Sequence, residues 1–222
     1  MRSCNLKTTI HFEGNALARL AKLEYKKVFI IADPFVVSSG LIKEVTKHLD
    51  TAGIEYKVYS DVVPDPSIDK VVLGVTALVR EMSPCLIAVG GGSAIDLAKC
   101  VRLFAHNHDS SYAPHFIAIP TTSGTGSEVT SFAVITDPQK NIKHALIDDF
   151  LLPNEAILDV EMVKSVPATI TADTGLDVLA HALEAYVSTE ADYFSDMYAE
   201  KATSLCKHYL VRSYNYPKTH EN

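Results

Sequence analysis

The amino-acid sequence predicts an α/β protein built on a mostly parallel β-sheet, and two observations carry this prediction. First, short apolar runs of strand length alternate with segments of helical periodicity from about residue 27 to residue 120. Such alternation is typical of βαβ units, whose parallel strands are covered by helices on both faces. Second, the apolar run Cys85–Val89 leads directly into three glycines at 90–92, a turn suited to the passage from a buried strand into a helix.

The elements follow from local patterns along the chain. Apolar runs or apolar–polar alternation predict strands at 27–32, 54–59, 85–89 and 116–119, then short strands at 131–137, 143–147 and 156–159. Apolar residues at helical spacing predict helices at 40–52, at 67–82 with Ser67 as its cap, and from the glycine turn to about residue 105. After Pro167, helical patterns cover about 171–187 and 193–214. We therefore predict an α/β domain at 1–165 and the start of a helical domain at 166–222.

Composition excludes several classes of protein. Hydrophobic residues make up 47% of the chain and charged residues 21%, which excludes disorder and low-complexity repeats. The net charge of −7 argues against a nucleic-acid-binding surface, and the longest apolar runs are too short to span a bilayer. The cysteines are scattered, without a CxxC pair, and are predicted to be reduced and mostly buried, in a cytoplasmic protein without a signal peptide; they are Cys4, Cys85, Cys100 and Cys206.

The glycine turn and the helix after it carry the first candidate site. Glycines allow a ligand to approach the main chain, and the free N–H groups of a first helical turn attract a phosphate or pyrophosphate. The segment from Gly90 to Asp96 is equally consistent with a plain strand-to-helix turn capped by Ser93, because it matches neither G-x-G-x-x-G nor a P-loop. The residues alone leave both interpretations open.

Two further segments are expected at the same edge of the sheet. The loop 120–128 is rich in hydroxyl groups and follows an apolar strand directly, which favours a ligand contact over a solvated surface loop. Asp33 closes the first strand of the alternating region, where a carboxylate is able to bind a ribose diol and to repel a 2′-phosphate. Taken alone, Asp33 is better interpreted as a turn residue before Pro34.

Asp177 and His181 form the third candidate site. They are spaced i, i+4, so both side chains project from one face of the predicted helix. Because the residues around them are almost all apolar, we expect this helix to be buried, with the two side chains satisfying each other. A carboxylate and an imidazole on one face are also two ligands of a site for Zn²⁺ or Fe²⁺.

Four segments, taken together and in this order, resemble the iron-containing (group III) alcohol dehydrogenase family. They are GGGSAIDLAK at 90–99, PTTSGTGSEVT at 120–130, LLPNEAILD at 151–159 and DTGLDVLAHALEAY at 173–186. The resemblance implies a Rossmann-like, NAD(P)-binding α/β domain followed by a partial all-helical domain, with the active site in the cleft between them. It also implies hydride transfer between a small primary alcohol or aldehyde and the nicotinamide, with the metal holding the alcohol oxygen as a Lewis acid.

The resemblance further implies roles for individual residues. Asp33 falls where the family discriminates NAD from NADP, and its carboxylate implies NAD. The residues that match the family's cofactor site are Asp33, Gly91, Gly92, Ser93, Asp96, Thr121, Thr122, Thr125, Thr130, Val134 and Lys143. Asp177 and His181 match the first two metal ligands, which suit Fe²⁺ and Zn²⁺ alike. The resemblance also implies a possible homodimer formed through the N-terminal strand at 8–12.

Two departures from the family pattern matter. Asp65 stands where many relatives have Asn near the nucleotide, which we expect to be a small change. The family's two later histidine ligands have no counterpart, because His208 and His220 come too early, and the chain is therefore expected to be truncated. Three hypotheses follow: an NAD-dependent alcohol dehydrogenase, a truncated nucleotide-binding module without catalysis, and a polyol (glycerol-type) dehydrogenase relative that uses zinc.

Overall fold

The structure is a computed structural model that describes residues 6–216, so that Cys4 and His220 lie outside the described residues. The strands are Thr9–Phe12 (β1), Lys27–Ala32 (β2), Glu55–Tyr59 (β3), Cys85–Gly90 (β4), His115–Pro120 (β5), Phe132–Asp137 (β6), Ile142–Ile147 (β7) and Glu155–Leu158 (β8). The α-helices are Pro34–Ser38 (α1), Ile42–Thr51 (α2), Ile68–Glu81 (α3), Gly92–His108 (α4), Val160–Val163 (α5), Ala168–Val187 (α6) and Tyr193–Asn215 (α7). Short 3₁₀ helices lie at Ala16–Lys22, Ser127–Val129 and Asp149–Leu151.

Six of the strands form one parallel sheet in the order β1-β8-β5-β4-β2-β3. This confirms the predicted α/β class. Because every neighbouring pair is parallel, the carboxyl ends of β2, β4 and β5 lie side by side along one edge of the sheet. Ligands of open α/β sheets bind at this edge, so the sheet order already indicates where a site belongs.

Successive residues of the central strands enter two different apolar cores. Phe29 and Ile31 of β2 pack with residues of α3 and α4 on one face of the sheet. Val28 and Ile30 pack on the other face, against residues of α1, α2, α5 and the 3₁₀ helix Ala16–Lys22. A strand that is buried on both faces reads as a continuous apolar run, and this is why the sequence identifies β2 and β4 so clearly.

The sequence did not predict three short elements on this face of the sheet, which are the 3₁₀ helix Ala16–Lys22, α1 and the four-residue helix α5. The 3₁₀ helix Ala16–Lys22 buries Leu17 and Leu20, and the five-residue helix α1 follows Asp33 directly. The Asp33 side chain accepts a hydrogen bond from the Phe35 N–H at 2.7 Å and so caps α1. Elements of four to seven residues are too short to show a helical period, and this explains why the pattern missed them.

The two short strands that the sequence predicts at 131–137 and 143–147 are confirmed, and they form a hairpin. β6 and β7 pair antiparallel, from Phe132 opposite Ile147 to Asp137 opposite Ile142. One face of β6 is buried through Ala133 and Ile135, which join the same core as α4. The hairpin is thereby attached to the helix that follows the glycine turn.

The described chain forms two compact units. One unit comprises Lys7–Thr121 and Gly126–Met162, and the other comprises Leu6, Thr122–Thr125 and the described residues from Val163 onward. The first unit contains the complete sheet and the hairpin. None of the helices between residues 6 and 216 is long and apolar enough to cross a membrane.

Helices α6 and α7 pack against each other in the second unit through small residues. The buried positions are Gly175 and Ala182 on α6 and Ala199 on α7. A Cβ atom at Gly175 would lie 2.1 Å from Leu210 Cδ1, so the glycine sets how closely the two helices approach. The expectation that α6 is buried on all sides is wrong, because Leu183 is 51% exposed. The physical reason for this exposure is that α6 and α7 contact each other through small residues, which bury only a narrow strip of each helix. The larger apolar side chains lie outside that strip.

The three described cysteines are free thiols. Cys85 and Cys100 are completely buried, and burial raises the pKa of each thiol to about 12. Both are therefore protonated apolar core residues at neutral pH, as the sequence predicted.

Glu155, at the start of β8, is a buried carboxylate that ties three strands together. Arg19 donates from Nε and Nη2 to its two oxygens at 2.8 and 2.9 Å, and His11 and His115 each place Nε2 within 2.8 Å of them. Burial raises the pKa of Glu155, but the hydrogen bonds from Arg19, His115 and His11 outweigh this effect, and the net pKa lies below its usual value.

Glu155→Gln is expected to lower the free energy of unfolding by about 2 kcal/mol at neutral pH, because it leaves a partly buried guanidinium without its counter-charge. The folded-state pKa is depressed, so the stabilisation is complete above the unfolded value of 4.5 and is lost as the pH falls through the folded value. Urea unfolding of both proteins at about pH 7 and about pH 3 measures this. Glu55→Gln, at the exposed start of β3, is the matched control, with an expected change below about 0.5 kcal/mol. An equal loss at both pH values would contradict the charge-based explanation.

Candidate active site

Three segments that are distant in the sequence meet at the carboxyl edge of the sheet. Asp33 follows β2, the glycine turn follows β4, and Thr121 follows β5, and these strands are neighbours. The Asp33 N–H donates to Val89 O at 2.9 Å, and the Thr121 N–H donates to Gly90 O at 3.0 Å. The structure therefore brings together the acid, the glycine turn and the first threonine of the hydroxyl-rich loop in one unit.

The turn leaves the start of α4 without a side-chain cap. Gly91 occupies the N-cap position with extended backbone angles, and α4 begins at Gly92. The alternative interpretation in which Ser93 caps this helix is wrong on that point, because Ser93 already lies within the first turn. Uncapped N–H groups at the positive end of a 17-residue helix are suited to bind a phosphate or pyrophosphate.

Gly90 permits the close approach of the turn to Asp33. A Cβ atom at Gly90 would lie 2.6 Å from Ala94 Cβ and 3.0 Å from Asp33 Cβ. The backbone φ of Gly90 is +157°, a value that L-residues rarely adopt. The first of the three glycines at 90–92 is thus a steric requirement at the point where β2 and β4 end.

Asp96, one turn into α4, uses both carboxylate oxygens on protein partners. Oδ1 accepts a hydrogen bond from Ser127 Oγ at 2.6 Å, and Oδ2 accepts one from the Val134 N–H at 2.9 Å. Asp96 therefore attaches the hydroxyl-rich loop 120–128, through Ser127, and β6 to α4. These two hydrogen bonds give Asp96 a structural role in addition to the cofactor role that the resemblance implies.

Lys99 was not identified from the sequence. Its side chain is completely buried, and Nζ donates to Thr130 Oγ1 at 3.1 Å and to Phe132 O at 2.6 Å. Burial lowers the pKa of Lys99 to about 8, and the nearby Asp96 and Glu128 carboxylates oppose that effect. Asp96 and Lys99 are three residues apart, which places both side chains on one face of α4. This spacing was the sequence signal from which a role for Lys99 could have been predicted.

Lys143 forms an ion pair at the outer side of the hairpin. Its Nζ lies 2.8 Å from Asp65 Oδ1, and both side chains are 59% exposed. Asp65 itself has a φ of +50°, a left-handed conformation that Asn and Asp tolerate better than most residues. The position at which many relatives have Asn therefore carries the acidic partner of Lys143.

The remaining threonines of the loop belong to the helical unit. Thr122 and Thr125 flank Gly124, where a Cβ atom would lie 2.8 Å from Thr174 Cβ of α6. Gly124 therefore allows this part of the loop to pack directly against α6. Thr174 lies three residues before Asp177, so the packed face of the loop is one helical turn from the candidate metal ligand.

Asp177 and His181 lie on the same side of α6, as predicted. His181 Nε2 and Asp177 Oδ1 are 3.8 Å apart, and the side chains are 55% and 42% exposed. The expectation that the two are buried and satisfy each other is wrong, because they are half-exposed and too far apart for a strong hydrogen bond. Two ligands at about 2.0–2.2 Å from one ion lie roughly 3–4 Å apart, so the pair fits two coordination positions of a divalent metal. No group of three or more such ligands occurs within residues 6–216.

A parallel sheet with a glycine turn at its carboxyl edge, and a separate helical unit that carries a carboxylate–imidazole pair, are the features that the resemblance to a class of dinucleotide-binding dehydrogenases implies. Comparison with known proteins agrees with that class. Residues 7–160 match the family described as iron-containing alcohol dehydrogenase, and residues 171–222 match the C-terminal region of the Fe-containing alcohol dehydrogenase family. The chain belongs to the iron-containing alcohol dehydrogenase family.

Individual relatives are similar over nearly all of this chain. 1-Propanol dehydrogenase PduQ of Citrobacter freundii is 45% identical over 210 residues, which cover 95% of this chain and 56% of the relative. NAD-dependent methanol dehydrogenase of Bacillus methanolicus is 38% identical over 207 residues, covering 88% and 54%. The structure of sulfoacetaldehyde reductase from Bifidobacterium kashiwanohense in complex with NAD⁺ superposes with a TM-score of 0.90 at 28% identity, covering 100% and 62%.

The chain thus spans a little over half the length of these curated relatives. The names of these relatives describe dehydrogenases of 1-propanol and methanol. The fold expected from the resemblance is confirmed. The roles of individual site residues stay predictions.

Proposed function

We propose that this protein is an NAD-dependent dehydrogenase that transfers a hydride between a small primary alcohol or aldehyde and the nicotinamide, with the help of Fe²⁺ or Zn²⁺. The observation that carries the proposal is the meeting of Asp33, the uncapped glycine turn and Thr121 at the carboxyl ends of three neighbouring strands. In alcohol oxidation the carbinol carbon gives a hydride to NAD⁺ and the hydroxyl gives its proton to solvent, so the reaction balances without another reactant.

The glycine turn is proposed to hold the cofactor pyrophosphate. The first turn of α4 begins with the backbone N–H groups of Gly91, Gly92 and Ser93. The helix dipole favours negative charge at this end of the helix. Asp33 is proposed to bind the adenine-side ribose. Its Oδ1 accepts the Phe35 N–H, which orients the carboxylate, and Oδ2 has no hydrogen-bond partner among the described residues. That free oxygen is suited to accept from a ribose hydroxyl and would repel the 2′-phosphate of NADP.

The other cofactor contacts are proposed from the resemblance together with their positions. Thr130 and Val134 lie on the segment that Asp96 and Lys99 attach to α4, and Lys143 lies on the adjacent strand β7. The hydroxyl group of Thr130 and the ammonium group of Lys143 are donors of the kind that a dinucleotide needs. The proposed cofactor set is Asp33, Gly91, Gly92, Ser93, Asp96, Thr121, Thr122, Thr125, Thr130, Val134 and Lys143.

Asp177 and His181 are proposed as metal ligands of the helical unit. A carboxylate oxygen and an imidazole nitrogen 3.8 Å apart on one helix face supply two coordination positions. When bound, a divalent ion acts as a Lewis acid that polarises the alcohol oxygen. The proposed domains are accordingly an NAD-binding domain at 1–165 and a metal-binding helical domain at 166–222, although residues 122–125 associate with the helical unit.

The exposed edge strand β1 supports the proposal of a homodimer. Within the described sheet, β1 pairs with β8 alone, and Phe12 is 66% exposed. An edge strand presents unpaired backbone N–H and C=O groups, with which a strand of a second copy is able to pair and so extend the sheet. We further propose a cytoplasmic location.

Calorimetric titration with NAD⁺, paired with a 1-propanol oxidation assay in added Fe²⁺ or Zn²⁺, tests the proposed function. We expect saturable NAD⁺ binding and a metal-dependent rise in absorbance at the wavelength of NADH. Addition of EDTA is expected to abolish turnover. It is expected to leave NAD⁺ binding unchanged, because neither proposed metal ligand, Asp177 or His181, belongs to the proposed cofactor set. Binding without turnover at any metal concentration would instead support a nucleotide-binding module, and absence of NAD⁺ binding would refute the proposed cofactor.

Asp33→Ser provides the control for cofactor choice. Serine retains the ability to cap α1, so the variant is expected to keep its fold. Loss of the carboxylate is expected to improve the ratio of NADP⁺ to NAD⁺ affinity by about tenfold, because the repulsion of the 2′-phosphate is removed. An unchanged ratio would place the ribose elsewhere.

A further inference from the structure

Lys99 is a buried cation whose partners all lie close to the proposed cofactor site. It is 0% exposed, and it lies on α4 three residues after Asp96. Its ammonium group donates to Thr130 Oγ1 and to Phe132 O. A buried ammonium group costs free energy unless it is hydrogen-bonded or paired, so these contacts must contribute enough to retain it.

The ammonium group fixes the direction of the Thr130 hydroxyl. A charged lysine has three N–H donors and no acceptor, so Thr130 Oγ1 can only accept in this hydrogen bond. The hydroxyl proton must therefore point elsewhere. Among the described contacts, the acceptor for it is Ser127 O at 3.5 Å, which is longer than the usual 2.5–3.0 Å of a strong O–H···O bond. The Thr130 hydroxyl is thus available as a donor to a ligand oxygen.

Asp96 completes this arrangement with the opposite polarity. Its carboxylate accepts from Ser127 Oγ at 2.6 Å and from the Val134 N–H at 2.9 Å. One face of α4 therefore binds the segment 127–134 through two side chains. Asp96 accepts hydrogen bonds from this segment, and Lys99 donates hydrogen bonds to it. Because α4 begins at the glycine turn, both proposed cofactor segments are attached to one helix.

We infer that Lys99 is a positioning residue for the cofactor, which acts through Thr130 by presenting its hydroxyl as a hydrogen-bond donor to the bound dinucleotide. The inference rests on the proposed function, since it takes Thr130 to be part of the NAD site. Lys99 itself is completely buried and acts without touching the cofactor. The hydroxyl group that Lys99 orients, that of Thr130, would donate a hydrogen bond to an anionic or carbonyl oxygen of the cofactor.

NAD⁺ titration of Lys99→Met, Thr130→Val and the double variant tests this inference. Methionine has a similar length but no charge and no N–H group. Each single variant is expected to weaken NAD⁺ binding about tenfold, corresponding to the loss of one hydrogen bond to the ligand. The double variant is expected to bind about as weakly as either single variant, because both changes remove the same contact. Lys140→Met, an exposed lysine on the turn of the hairpin, is the matched control and is expected to stay within about twofold of the unchanged protein.

A second readout separates positioning from general loss of structure. The KM for NAD⁺ is expected to rise in Lys99→Met while the KM for the alcohol stays constant. If Lys99→Met does not fold, as judged by its thermal unfolding, Thr130→Ser decides the question, because serine keeps the hydroxyl and should recover most of the affinity lost in Thr130→Val. Independent, multiplicative losses in the double variant, or a Thr130→Val protein that binds NAD⁺ normally, would overturn the inference. Absence of NAD⁺ binding by the unchanged protein would refute the proposed function instead.

Discussion

Gly90→Ala is expected to abolish measurable NAD⁺ binding and to lower the free energy of unfolding by about 3 kcal/mol. The added Cβ atom would lie 2.6 Å from Ala94 Cβ and 3.0 Å from Asp33 Cβ. Neither neighbour is the end of a flexible side chain, so relief requires a shift of α4 or of the end of β2. Either shift displaces the first turn of α4 from the position in which its N–H groups meet a pyrophosphate. Chemical denaturation and NAD⁺ titration measure the two effects separately.

Two further variants distinguish the steric effect from a general effect of alanine. Gly14→Ala is the matched control, since a Cβ atom there has nothing within 4 Å and the expected change is below about 0.5 kcal/mol. Combination of Gly90→Ala with Ala94→Gly removes the closer contact and is expected to recover part of the NAD⁺ affinity. If Gly90→Ala binds NAD⁺ normally, the glycine turn does not hold the cofactor.

His181→Ala is expected to lower the proposed metal-dependent turnover by about a thousandfold, because it removes one of the two donors with which α6 would hold the ion that would polarise the alcohol oxygen. NAD⁺ affinity is expected to be unchanged, since the glycine turn and Asp33 lie in the other unit. The side chain is 55% exposed, so the substitution leaves the packing of α6 against α7 intact. Co²⁺ titration followed by visible absorption provides a measure of metal binding that does not depend on activity.

His208→Ala is the matched control for His181→Ala. His208 is an exposed histidine on α7 whose Nδ1 lies 2.6 Å from Ser204 O, and the sequence places it too early to be a family metal ligand. Its replacement is expected to leave Co²⁺ binding and turnover unchanged. Equal losses in the two variants would mean that His181 is no more a metal ligand than His208, and loss of NAD⁺ binding in His181→Ala would indicate a structural role.

The parts of the fold that the sequence predicted are those in which a local pattern and its burial agree. The run of apolar residues in β2 and β4 is continuous because both faces of those strands are covered. In the antiparallel hairpin, buried and exposed residues alternate along β6 instead. Helix α6 illustrates the opposite case. Its apolar composition predicted burial on all sides, whereas small residues such as Gly175 bury one narrow strip of it. Composition reports how apolar a helix is and not which of its faces meets a neighbour.

By itself, the sequence determined the α/β class, the order of the strands along the chain, the glycine turn and the i, i+4 pair on α6, because each depends on residues that are close together in the chain. The tertiary structure decided which distant residues meet. The strand order placed Asp33, the glycine turn and Thr121 at one edge, and the packing of β6 on α4 turned Lys99 and Asp96 into the residues that hold Thr130 and Val134. A buried lysine in an apolar helix becomes interpretable only when its acceptors are known, since hydrogen bonds are made in space and between residues as far apart as 99 and 132.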